Sequence, residues 1–225
     1  MAMMTLSFLR SHMFLGSLVL AFGACVAPDK SAAHPHVWVT VETEVEVSDT
    51  KDITGFRHRW TFDEFYTAFA VQGLDTDGDG KYSREELEPL AKVNMDSLRE
   101  FEFFTFAKLS GEAVALKEPV NYWLEFKDSL LTLHFTLPLN APVKEAQAKN
   151  FSFAVYDPVF YVAFSFADKT PVRLAGRAAL PCQPLVADRA GRMEIPLGGT
   201  FGEGFDPSEN IGQSFSQTVT LSCPS

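Results

Sequence analysis

Positive charge is scarce in this sequence. Nineteen Lys and Arg stand against twenty-nine Asp and Glu, a formal net charge of −10. That balance excludes a nucleic-acid partner, which needs a basic footprint, and suits a soluble chain that handles cations. Cysteine is also scarce, at three residues. Without a C-x-x-C pair there is neither a thioredoxin-like redox motif nor a zinc ribbon. Long apolar runs are missing too. Met13 to Ala24 is a run of twelve, too short to span a bilayer, and no other stretch approaches that length. Neither a G-x-S-x-G elbow, a phosphate-binding loop nor an H-E-x-x-H helix occurs, so nothing invites a hydrolase reading. There is no internal repeat.

The short apolar run, preceded by Arg10, has the form of a signal peptide. Residues 1–33 are expected to be removed after Ser31-Ala32-Ala33, making His34 the new terminus. The competing site is Phe22-Gly23-Ala24-Cys25, a lipoprotein-like signal with Cys25 lipidated. Either route delivers the chain to an oxidising, periplasmic compartment. The remaining cysteines, Cys182 and Cys223, are then an even pair expected to be bonded. Such a bond closes a loop of about 40 residues and contributes about 3–4 kcal/mol.

Residues 34–225 read as one mature domain, and the sequence's 21 Phe, all but Phe8, Phe14 and Phe22 within it, suggest a well-filled aromatic core. Val37 to Val47 alternates strictly, the mark of a half-buried strand, and a second strand is expected over Ile53 to Trp60. The period then becomes helical. Thr61 and Glu64 match a capping box, with Trp60 and Phe65 at the staple positions. Phe62, Phe65, Tyr66 and Phe69 form an apolar stripe. Ser83 and Glu86 match a second capping box, opening a helix that Pro89 should kink or split. Helical character is expected to last to about Leu109. Strands then return over Tyr122 to Phe126, Leu130 to Leu137, Phe151 to Val155, Tyr161 to Phe166, Val172 to Ala179 and Gln217 to Ser222. A Gly-rich loop is expected over residues 198–204. The predicted class is α+β: an antiparallel β-sandwich-like domain with an EF-hand helical hairpin inserted at about 61–109.

The hairpin expectation rests on Asp75 to Glu86, DTDGDGKYSREE, which meets D-x-[DN]-x-[DN]-G-x5-E at every fixed position. Asp75, Asp77 and Asp79 would supply carboxylates, Lys81 a backbone carbonyl, Ser83 the ninth position and Glu86 a bidentate carboxylate. Gly80 would allow the sharp turn. Calcium fits better than magnesium, because a bidentate Glu favours high, flexible coordination. No second loop exists in the sequence, so the ion is expected to act as a structural clip rather than as a sensor.

His34 and His36 in HPH would lie on one side of an extended chain, where two imidazoles could share zinc, nickel or copper. His58 or His134, on predicted strands, could complete that site. Otherwise His58 is exposed between Arg57 and Arg59, His134 is a hydrogen-bonded core residue, and His34 and His36 are a polar strand start.

HPHVWV after a leader, FRHRWTFDEFYT, and LREFEFFTF closing the helical region together resemble a bacterial periplasmic family. It is catalogued as domain of unknown function number one thousand and seven, and described as the periplasmic component of uncharacterised transport systems. The resemblance implies partnership with an inner-membrane permease of the nickel/cobalt type, or a part in zinc uptake. It also carries His34, His36 and His58 over as metal-handling positions. The function expected is therefore that of a non-enzymatic, calcium-binding accessory of zinc, nickel or cobalt transport. The alternatives are a calcium-stabilised interaction module without a transition metal, or a metalloenzyme built on an amino-terminal His.

Overall fold

A computed structural model describes residues 35–187 and 210–224. The expected leader with Cys25, His34 and the Gly-rich loop at 198–204 lie outside the described residues. The strands are β1 (Val37–Val47), β2 (Ile53–Phe62), β3 (Thr105–Leu109), β4 (Glu112–Val114), β5 (Val120–Lys127), β6 (Leu130–Val143), β7 (Phe151–Val155), β8 (Val162–Phe166), β9 (Val172–Gly176), β10 (Gln183–Val186) and β11 (Thr218–Ser222). The helices are α1 (Glu64–Ala70), α2 (Arg84–Leu98) and α3 (Ile211–Ser214).

Two sheets form. One runs β5-β6-β2-β1-β8, with β9 also pairing β1, and the other runs β10-β11-β7-β3-β4. They meet face to face through rings, with Phe56 of β2 4.7 Å from Phe153 of β7. The chain is therefore α+β and sandwich-like, as expected, but it is not wholly antiparallel. β1 pairs in parallel with β8 and with β9. The valine alternation of β1 specifies which face is buried, and Val37, Val39, Val41, Val45 and Val47 are buried, but it says nothing of partner direction. Cys182 and Cys223 are bonded, joining the segment before β10 to the residue after β11.

The helical region is shorter than expected. β2 continues through Thr61 to Phe62, so Thr61 caps nothing. Asp63 is the cap instead: its Oδ1 accepts from the N–H of Phe65 and of Tyr66, and its Oδ2 from the N–H of Trp38. α2 runs through Pro89 without a break. Pro89 and Glu85 are both exposed, so the carbonyl that loses its helical partner faces water. The α-helix ends at Leu98, and a 3-10 segment follows over Arg99–Phe104. Glu102, Phe103 and Phe104 then adopt left-handed φ values of 52°, 51° and 47°, a costly conformation without glycine. Burial of Phe103 and Phe104 offsets that cost, and the reversal launches β3 where continued helix was expected.

The apolar stripe of α1 does not face the core as a unit. Tyr66 stacks on Phe62 at 4.5 Å, and the buried Thr67 accepts the Leu131 N–H at 3.1 Å. Phe65 and Phe69 point outward.

Candidate metal centre

The twelve residues from Asp75 to Glu86 join α1 to α2. Backbone N–H groups hold the acidic side chains in place. Asp75 Oδ1 accepts from Gly78 N–H at 2.8 Å and its Oδ2 from Gly80 N–H at 3.0 Å. Asp77 Oδ1 accepts from Asp79 N–H, and Asp79 Oδ1 from Lys81 N–H. Gly78 and Gly80 sit at φ 74° and 78°, the left-handed region the tight coil requires. Gly80 was legible from the motif, whereas the turn at Gly78 was not.

Glu86 is held from two sides. Its Oε1 accepts from Thr76 N–H at 2.7 Å and Thr76 Oγ1 at 2.8 Å. Its Oε2 accepts from Ser83 N–H and Ser83 Oγ, both at 2.9 Å. Ser83 Oγ also accepts from Glu86 N–H, completing the expected capping box. These bonds, those from the Ser83 and Thr76 amides foremost, lower the Glu86 carboxyl to about 2. One ligand atom each from Asp75, Asp77 and Glu86 lies within 4.8 Å of the other two. Asp79 stands outside that group and Lys81 is exposed. None of the four carboxylates pairs with a Lys or Arg among the described residues. The donor set is all oxygen and strongly anionic, which is the chemistry of a hard divalent cation. A cation bound by both oxygens of Glu86 would keep the two backbone donors and turn the Thr76 and Ser83 hydroxyls aside, since each carboxylate oxygen has two lone pairs. Thr76 was not among the expected site residues, because the sequence pattern leaves that position free.

The loop is fastened to the first sheet. Tyr82 packs edge-on against Phe126 of β5 at 4.7 Å. The Arg84 guanidinium lies 4.9 Å over the Trp123 ring, and the His134 ring lies parallel to the same indole at 4.5 Å. His134 Nε2 is 3.1 Å from Glu125 Oε2. Burial lowers the His134 pKa most, and Glu125 opposes the shift.

His58 departs from the expectation. It alternates with Arg57 and Arg59, which point outward to Glu44, Glu46 and Glu42, so the ring points inward and is fully buried. Nδ1 lies 2.9 Å from Thr43 Oγ1 and Nε2 lies 3.3 Å from Thr105 Oγ1. Thr105 gives its own proton to Phe103 O at 2.9 Å. Nε2 must therefore donate, and Nδ1 accepts from Thr43. Both nitrogens are used, Nδ1 within the first sheet through Thr43 and Nε2 across to the second through Thr105, and desolvation lowers the ring pKa to about 3. His36 is exposed near the start of β1, beside Tyr161 at 4.8 Å. His58 stands opposite Thr43, seven residues along that strand, or roughly 23 Å away. His58 is thus not a ligand shared with His36. His34 lies outside the described residues.

The comparisons agree with the resemblance noted in the sequence. An uncharacterised protein of Haemophilus influenzae is 23% identical over 220 residues, covering 96% of this chain and 100% of its own length. An uncharacterised 15.5 kDa protein of Spirochaeta aurantia, from the trpE 3′ region, is 27% identical over 130 residues, covering 55% of this chain and 91% of its own. A family model matches residues 19–223, and the chain belongs to that family, described as protein of unknown function (DUF1007).

Proposed function

We propose that this protein is a non-catalytic, periplasmic calcium-binding domain in which the ion closes an EF-hand-like hairpin onto a β-sandwich, serving as an accessory of transition-metal transport. The observation that carries the calcium reading is the convergence of Asp75, Asp77 and Glu86 in one twelve-residue loop, none of them ion-paired to a Lys or Arg among the described residues. Such carboxylates repel one another unless a cation sits between them. EF-hands usually work in pairs. In this chain Tyr82 and Arg84 rest on Phe126 and Trp123 of β5 instead, so the sheet takes the place of a second hand.

The transport role is supported by the family resemblance and by exposed His36, with His34 as its partner in the motif. Loss of His58 from that set favours a second reading, a calcium-stabilised interaction module without a transition metal.

Calorimetric titration of the mature chain with calcium tests the first claim. One ion per chain is expected, with a Kd on the order of 10⁻⁴–10⁻³ M, as in extracellular modules. Glu86→Gln should weaken it by at least about tenfold. Absence of binding at millimolar calcium would remove the proposal. Zinc titration of wild type against the His34→Ala/His36→Ala variant decides between the two readings. Equal zinc affinity leaves the calcium-stabilised module.

A further inference from the structure

Helix α1 turns both of its phenylalanines to solvent. Phe65 is 87% exposed and Phe69 73% exposed, the highest values among the large apolar residues described. They are four residues apart and so lie one above the other on one face. Together they present roughly 300 Å² of aromatic surface, the size at which an exposed apolar patch often marks an interaction site. The fold does not need them. α1 is anchored by its opposite face, through Tyr66 on Phe62, Thr67 on the Leu131 N–H, and buried Val71. Neither Phe65 nor Phe69 stacks on another ring among the described residues.

Along the chain, the charge flanking this pair has one sign. From Thr61 to Gly80 there is no Lys, Arg or His, while Asp63, Glu64, Asp75, Asp77 and Asp79 are all acidic. Glu64, Asp77 and Asp79 are exposed. A calcium ion in the loop would offset two of the five charges and leave the sign unchanged.

We propose that the outward face of α1 docks a basic amphipathic segment of a protein partner. The segment's apolar side chains would cover Phe65 and Phe69, and its Lys or Arg residues would meet Glu64 and the acidic loop. Charge selects this occupant over two others. An anionic lipid surface would meet exposed Glu64, Asp77 and Asp79, and a second copy of this chain would bring the same acidic residues and a net charge of −10. The proposal goes beyond the calcium reading and does not depend on it.

Fluorescence anisotropy with synthetic peptides tests it on the mature chain in calcium-containing buffer. The probe is a dye-labelled helix of about 18 residues with a Leu face and a Lys face, and the control replaces every Lys by Glu. Binding of the Lys helix and none of the Glu helix is expected. Phe65→Ala/Phe69→Ala keeps every charge and favours helix, and should weaken binding about 30-fold with an unchanged melting temperature. Equal affinity in that variant would reduce the contact to unspecific charge attraction and overturn the proposal. So would failure of wild type to bind the Lys helix, or equal binding of the Glu helix. Phe65- and Phe69-dependent binding to vesicles of anionic lipid would assign the face to a membrane. A concentration-dependent dimer lost in the variant would assign it to a second copy.

Discussion

The two sheets and the loop between α1 and α2 treat polar groups in opposite ways. In the sandwich, a fully buried imidazole is satisfied from both sides by Thr43 and Thr105, and Phe56 packs on Phe151 and Phe153 around it. Nothing there calls for an ion. In the loop, carboxylates are gathered by backbone amides until three approach within 4.8 Å. Every donor is spent on fixing them and none on cancelling their charge. One region satisfies its polar groups from its own residues, and the other holds its carboxylates together with no ion pair to Lys or Arg among the described residues. Stability and metal binding should therefore separate by region.

The largest effects belong to the sandwich. Phe56→Ala should cost about 3–5 kcal/mol, and by the same amount with calcium or chelator. A calcium-dependent cost in urea denaturation would show that the regions are coupled. Acid should act through His58. The folded ring takes a proton only below about 3, whereas the unfolded ring does so below its ordinary 6.5. Between those values the unfolded chain binds more protons, so stability is complete above pH 6.5 and falls as pH drops toward 3. The full loss is on the order of 4 kcal/mol. The slope of the urea midpoint against pH checks this, and His58→Leu should flatten it. A slope that survives the substitution would place the titrating group elsewhere.

Calcium should act next in size, and in the other region. At a hundred times its Kd it should add about 2.7 kcal/mol. Glu86→Gln, binding at least about tenfold more weakly, should cut the gain to about 1.4 kcal/mol or less. Hydrogen exchange should slow in α1, the loop and α2, with little change in β7 or β11. Equal protection across both sheets would contradict a local clip.

Legibility divides along similar lines. Contiguous patterns were readable. The face of β1, the capping box of Ser83 and Glu86, and the clustering of acidic residues in the loop lie within a few residues each. What depended on distant partners was not readable. Phe65 and Phe69 have helical spacing, but which side of α1 turns inward is decided by Thr67 meeting Leu131, 64 residues away. Tyr82 on Phe126 is likewise invisible to a local pattern. LREFEFFTF reads as helix because its Phe spacing fits one, yet three left-handed residues reverse it into β3. For His58 the signal was present and outweighed. Two arginines flank it at the strand period, so the residue between them had to face inward, where metal chemistry gives way to a core hydrogen bond.

The smallest effect is the most discriminating for the loop. Ser83 holds the ninth position of the motif, where a side chain can serve the ion. Its hydroxyl also accepts from Glu86 N–H at 3.2 Å and lies 2.9 Å from Glu86 Oε2. As a cap it stabilises α2, and Ser83→Ala should cost about 1 kcal/mol in chelator. Calcium affinity should fall less than about threefold, because the Ser83 N–H still aims Oε2 and survives the substitution. Melting in chelator measures the first quantity and calorimetry the second. If calcium affinity instead collapses as far as in Glu86→Gln, the hydroxyl serves the ion itself, and the loop would lean on five side chains rather than on its carboxylates alone.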